Sequence, residues 1–82
     1  MAWKITKAHM ACALDSVGVA SRNWREGLTA PLRFRMRDDD GAVYVSGVCT
    51  PETEFEPLDD YGMPGLGCTE IEFYEKGRWS VL

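Results

Sequence analysis

The 82 residues contain a single histidine, His9, and only three cysteines, Cys12, Cys49 and Cys68, with no Cys-x-x-Cys pair among them. His9-x-x-Cys12 with Cys49 and Cys68 makes a nominal Cys3His set, but its spacings are not those of a zinc site. A sparse, odd set of cysteines suits free thiols in a reducing compartment rather than a disulfide framework. No metal and no cofactor is therefore expected.

Catalytic signatures are scarce too. There is no Gly-x-Ser-x-Gly elbow, and Gly62-Met63-Pro64-Gly65-Leu66-Gly67 lacks the lysine and following helix of a phosphate loop. Asp59-Asp60, with Glu54 and Glu56 nearby, offers paired carboxylates, yet adjacent acids in an acidic segment are usually solvated, and nothing in the sequence suggests a desolvated cleft. Asp38-Asp39-Asp40-Gly41 invites a calcium loop, but Val43 and Cys49 occupy later positions where oxygen ligands are needed. No catalytic residue is expected, and the chain reads as a binder rather than an enzyme.

Long apolar runs are absent. The longest stretch of low polarity, Ala8 to Leu14, is far below the ~18 residues of a spanning helix, and Met1 to Lys7 lacks the apolar core and cleavage site of a secretory signal. A soluble, cytoplasmic protein without membrane contact is expected. No repeat, low-complexity tract or linker divides the chain, so residues 1–82 form one domain. Apolar residues make up 45% of it, including three Trp, three Tyr and three Phe, which is enough side chain for a core and unlike a disordered tail.

Period-two patterning organises that core. Leu32, Phe34 and Met36 alternate with Arg33, Arg35 and Arg37 as in a half-buried strand. Asp38 to Gly41 supplies turn chemistry, and Val43, Tyr44, Val45 and Val48 return. A loop of two (Asp40-Gly41) or four (38–41) residues places Val43 and Val45 on the face of Phe34, so an even loop is expected. A second hairpin follows. With a three-residue loop, Glu75-Lys76-Gly77, Phe73 pairs with Trp79 and Ile71 with Val81 on one apolar face, and Gly77 takes the left-handed position. Trp3 and Ile5 alternate with Lys4 and Thr6 in a first strand near residues 2–7. Ala8 to Leu14 reads as a short helix or a continuation of that strand, and Val17-Gly18-Val19 as a short extended piece.

Cys49 to Cys68 is an acidic connection with three prolines and three glycines. Phe55, Leu58 and Tyr61 fall three apart, on one side of a turn or two of helix opened by Pro57 and closed by Gly62 and Pro64. It reads as a long acidic Ω-like loop pinned to the sheet by these side chains. The expected fold is α+β, mostly β: one small antiparallel sheet of four to five strands with two hairpins. Its core is Trp3, Ile5, Leu32, Phe34, Met36, Val43, Val45, Ile71, Phe73, Trp79 and Val81.

Charge is divided unevenly within the net of −4. Residues 1–37 carry seven Lys/Arg and two Asp/Glu, a net of +5; residues 38–82 carry two Lys/Arg and eleven Asp/Glu, a net of −9. The two parts should attract each other in the folded state, and the acidic part should steer toward basic protein surfaces while disfavouring direct nucleic-acid binding.

The segments Arg37-Asp38-Asp39-Asp40-Gly41 with Val43-Tyr44, Pro57-Leu58-Asp59-Asp60-Tyr61-Gly62-Met63-Pro64, and Gly67-Cys68-Thr69-Glu70-Ile71 resemble small bacterial and mobile-element proteins with no established activity. The resemblance spans roughly residues 32–82 and brings no site residues with it. By analogy of class, it implies a small acidic phage-type inhibitor that occludes a host complex, as anti-CRISPR proteins do.

Three readings result. The first is a non-enzymatic protein-binding module presenting Glu52, Glu54, Glu56, Asp59, Asp60 and Tyr61 to a basic surface, such as the nucleic-acid groove of a host defence complex. The second is a nucleic-acid-binding module using Arg33, Arg35, Arg37 and Tyr44 on one strand face. The third is an oligomeric structural protein whose edge strand pairs with its own copy. Monomer and homodimer are both compatible with the sequence.

Overall fold

The computed structural model describes residues 1–82. Six strands form one open antiparallel sheet: β1 (Trp3–Ala8), β2 (Ser21–Arg22), β3 (Leu32–Arg37), β4 (Val43–Cys49), β5 (Glu70–Glu75) and β6 (Arg78–Val81), in the order β2-β1-β4-β3-β5-β6. The expected count of four to five is exceeded by β2, whose two residues pair with Trp3 and Lys4 of β1. Val17-Gly18-Val19 is a turn leading into it rather than an extended piece. Ala11–Ser16 is a short 3₁₀ helix, which settles the ambiguity over Ala8 to Leu14.

One face of the sheet is apolar and covered. Trp3, Ile5, Phe34, Met36, Val45, Ile71 and Phe73 are buried there, as their alternation predicts, joined by Ala13, Leu58, Cys49 and Cys68. Each large side chain of this kind contributes about 1.5–3 kcal/mol by leaving water. Trp3 meets Phe34 edge-on at 6.4 Å, although its indole N–H is buried without a partner. Gly47 lies between Lys4 and Phe34, and a Cβ there would collide with the Lys4 carbonyl oxygen and the Phe34 ring. A glycine in mid-strand is thus the condition for β1 to approach β4.

Three expectations about which residues face the core are corrected. The β3–β4 loop is neither two nor four residues long but spans 38–42. The Asp38 carboxylate caps it by accepting the N–H groups of Asp40 and Ala42, each at 3.0 Å. Met36 pairs with Val45 but Arg37 with Val43, so Tyr44 is the extra residue of a β-bulge. The bulge keeps Val45 inside, moves Val43 to the arginine face, and packs Tyr44 against the core cluster.

In the C-terminal hairpin, Tyr74 pairs with Trp79 and Glu72 with Val81. The loop is two residues, because both Lys76 (φ 51°) and Gly77 (φ 81°) are left-handed, the requirement of a type I′ turn. The one-residue change of register takes Trp79 and Val81 out of the core and onto the face of Tyr74. Val81 is accordingly 49% exposed.

The connection from Cys49 to Cys68 is helical rather than an Ω-like loop. A single 3₁₀ turn (Pro51–Thr53) precedes a π-type helix (Leu58–Leu66). Pro57 stands at its start as expected, but Gly62 and Pro64 do not close it. Gly62 is where the helix rests on the sheet, against the Met36 sulfur, and Gly67 (φ 77°) ends it. Leu58 is buried and Tyr61 half-buried, whereas Phe55 is exposed, so that trio does not share one anchoring face.

Candidate functional site

The helical layer covers one side of the sheet and leaves the other open, giving the molecule two chemically different sides. The outer side of the layer is acidic. Glu52, Glu54, Glu56, Asp59 and Asp60 surround a shallow hollow of about 400 Å³, with Phe55, 44% exposed, among them. Internal partners engage part of this set. The N-terminal ammonium lies 3.4 Å from Glu52, and Arg22 of β2 lies 3.2 Å from Asp60 and 3.9 Å from Glu56. Glu54 and Asp59 have no cationic partner. The Glu52 carboxyl is held below the ordinary carboxylate range by main-chain and Thr50 hydrogen bonds, with a further contribution from the N-terminal ammonium. Tyr61 does not join the patch as a free group: its hydroxyl is 2.7 Å from Ser16 Oγ, tying the second helix to the first.

The open side of the sheet carries the arginine stripe, and β5 lies against it. Arg35 Nε donates to Glu72 at 2.6 Å, and Arg37 reaches Glu70 at 3.3 Å and Glu72 at 3.9 Å. Glu72, 5% exposed, is thus flanked by two guanidiniums. Arg33 has no carboxylate partner. It lies 5.0 Å from the Tyr74 ring and 5.7 Å from the Trp79 ring, while Arg35 stacks on Trp79 at 4.4 Å. These cation–π contacts hold Trp79 outside the core. Tyr44 does not share the arginine face. The Asp38 carboxylate beside it, followed by a hydrogen bond to that group and by burial, raises its phenol pKa above the ordinary value.

Beside the stripe, Lys7 of β1 and His9 just past its end, Arg33 and Arg35 of β3, Val43 and Ser46 of β4 and Trp79 of β6 line a hollow of about 320 Å³. His9 Nε2 is 3.1 Å from Ser46 Oγ. Burial, then Lys7, then Arg35 lower the His9 pKa from its ordinary value near 6.5. Period-two reading does not gather these residues, for two reasons. A register shift between Ile5 and Lys7 puts Lys7 opposite Ser46, and the two-residue turn brings Trp79 to this side.

The His9, Cys12, Cys49 and Cys68 set is dispersed. Cys49 and Cys68 are buried in the core, Cys12 is exposed, and His9 bonds to Ser46 on the open face. No group of three or more His, Cys, Asp or Glu side chains converges as metal ligands do. Burial pushes the Cys49 and Cys68 thiols up to about 11, so at neutral pH both are packing groups rather than nucleophiles. No helix is long and apolar enough to cross a membrane. Set against protein-family models, curated proteins and solved structures, the chain matches none of them.

Proposed function

We propose that this protein is a non-enzymatic protein-binding module whose acidic helical layer docks on a basic surface of another macromolecule. The observation that carries the proposal is the exposed Phe55 ring, 44% accessible, set among five carboxylates of which Glu54 and Asp59 have no internal partner. An aromatic anchor inside a ring of charge is the usual anatomy of a binding centre: the ring contributes affinity, and the charges contribute steering and orientation. Leu14 and Met63 of the same helical layer are also exposed, at 65% and 51%, and extend its apolar content.

In its finer form, the proposal is an inhibitor of phage or mobile-element origin that covers the nucleic-acid groove of a host defence complex, in the manner of anti-CRISPR proteins. Carboxylates then stand in for phosphates, and the protein competes with nucleic acid for one groove. The reading of Arg33, Arg35, Arg37 and Tyr44 as a nucleic-acid stripe has less support, since Arg35 and Arg37 are engaged by Glu70 and Glu72 and Tyr44 faces elsewhere.

The test uses a partner recovered from host lysate and purified. Replacing Glu54, Glu56, Asp59 and Asp60 by glutamine or asparagine should slow association at least about tenfold at low salt and flatten its salt dependence. Phe55→Ala should raise the dissociation rate by an amount equivalent to about 1–2 kcal/mol. An association rate and salt slope unchanged in the quadruple variant would refute the docking proposal.

A further inference from the structure

The hollow on the open face of the sheet is cationic, on a chain of net charge −4. Lys7, Arg33 and Arg35 converge on it with His9, and no carboxylate lines it. Glu72 offsets Arg35 from one side, but neither Lys7 nor Arg33 has a carboxylate within 4.0 Å. With thirteen Asp and Glu available, and with other arginines on the same strand paired, two unpaired cations around one cavity leave a local excess of positive charge. Such an excess lowers its energy by taking up an anion.

We infer that this hollow is a phosphate-binding site, made by Lys7, His9, Arg33 and Arg35 and walled by Trp79, for a phosphate group carried on a larger ligand. The donors fit a tetrahedral oxyanion better than a single carboxylate. Two guanidiniums, an ammonium, an imidazole and the Ser46 hydroxyl approach from β3, from β1 and the residue just past its end, and from β4, and can share several oxygens. A cavity of about 320 Å³ is at the small end of ligand pockets and has room for more than the anion. Trp79 and the guanidinium planes stacked beside it provide flat surface for a base. The phosphate belongs to a free nucleotide or to a single strand of nucleic acid, two sources of the same chemistry.

His9 makes the site sensitive to pH. Burial and the charges of Lys7 (β1) and Arg35 (β3) keep the imidazole neutral at pH 7, with the uncharged Ser46 hydroxyl of β4 as its hydrogen-bond partner. A bound anion reverses that balance and favours the imidazolium. Affinity for the phosphodiester groups of the oligonucleotide, whose charge is constant in this range, should therefore rise as pH falls and His9 takes up a proton.

The experiment titrates the protein, by calorimetry, with inorganic phosphate, adenosine monophosphate and a short oligothymidylate. Saturable binding is expected. The exposed substitutions Lys7→Gln and Arg33→Gln together should weaken it about tenfold for each lost cation. Arg78→Gln, which removes one positive charge outside the hollow, should leave it unchanged. His9→Gln should abolish the gain at low pH. Tighter binding of the oligonucleotide than of the mononucleotide identifies nucleic acid as the source, and the reverse order a free nucleotide. No saturable binding of any probe, or equal losses in Arg78→Gln and the double variant, would overturn the site. Neither result bears on the acidic layer, which lies on the other side of the sheet.

Discussion

At the scale of single residues, most of the core was legible in the sequence. Phe34 and Met36 between arginines, and Trp3 and Ile5 beside Lys4, can bury their side chains only by sending the charges to the other face. Less legible were residues whose role depends on a neighbour far along the chain. Gly62 reads as a helix stop but is the contact point for Met36, and Thr53 reads as loop but is buried, its hydroxyl bonded to the Ala2 carbonyl at 3.3 Å. The cysteines give a prediction at this scale. Folded protein should expose one thiol, Cys12, to a thiol reagent, with Cys49 and Cys68 reacting only after unfolding. The buried pair also sets an alkaline limit. Their folded-state pKa, raised from 9.0 to about 11, means the unfolded chain loses these protons first. Their contribution to stability is full below pH 9.0 and falls as pH climbs toward 11, a loss that denaturant titration across that window should show and that Cys49→Ala with Cys68→Ala should remove.

At the scale of elements, both hairpins and β1 follow from alternation, while register within the hairpins does not. Parity reasoning assumes an unbroken ladder, and the bulge at Tyr44 breaks it. It also assumes that a lysine avoids positive φ, yet Lys76 adopts 51° in the type I′ turn. Moving Trp79 out of the core is balanced by its stacking on Arg35 and its edge contact with Tyr74 at 5.3 Å. Lysine at the first central position of such a turn carries a backbone cost that asparagine largely avoids. Lys76→Asn should therefore raise the unfolding free energy by about 0.5–1 kcal/mol, read as a higher Tm, with the register unchanged. The helical connection was hidden for a different reason. Proline and glycine at 57, 62, 64, 65 and 67 signal a loop locally, and only packing of Leu58 and Gly62 on the sheet makes the helix favourable.

At the scale of the whole molecule, the division of charge along the chain becomes a division in space. All six ion pairs join a cation from residues 1–37 to a carboxylate from residues 38–82, which is the attraction that the sequence implies. What those pairs leave over defines the two sides: Glu54 and Asp59 with Phe55 on the helical layer, Lys7 and Arg33 with Trp79 on the open sheet. The acidic side could be read from composition, because its residues are contiguous. The basic hollow could not, because β1, β3, β4 and β6 each contribute to it, Lys7 through an irregular register and Trp79 through the length of the last turn. Hydrogen exchange of the protein, free and bound to its purified protein partner, tests the docking of the acidic layer most directly. New protection should concentrate in residues 52–63, with the strands of the open face little changed. Protection confined to β1, β3 and β4, with the helical layer exchanging as in the free protein, would contradict it.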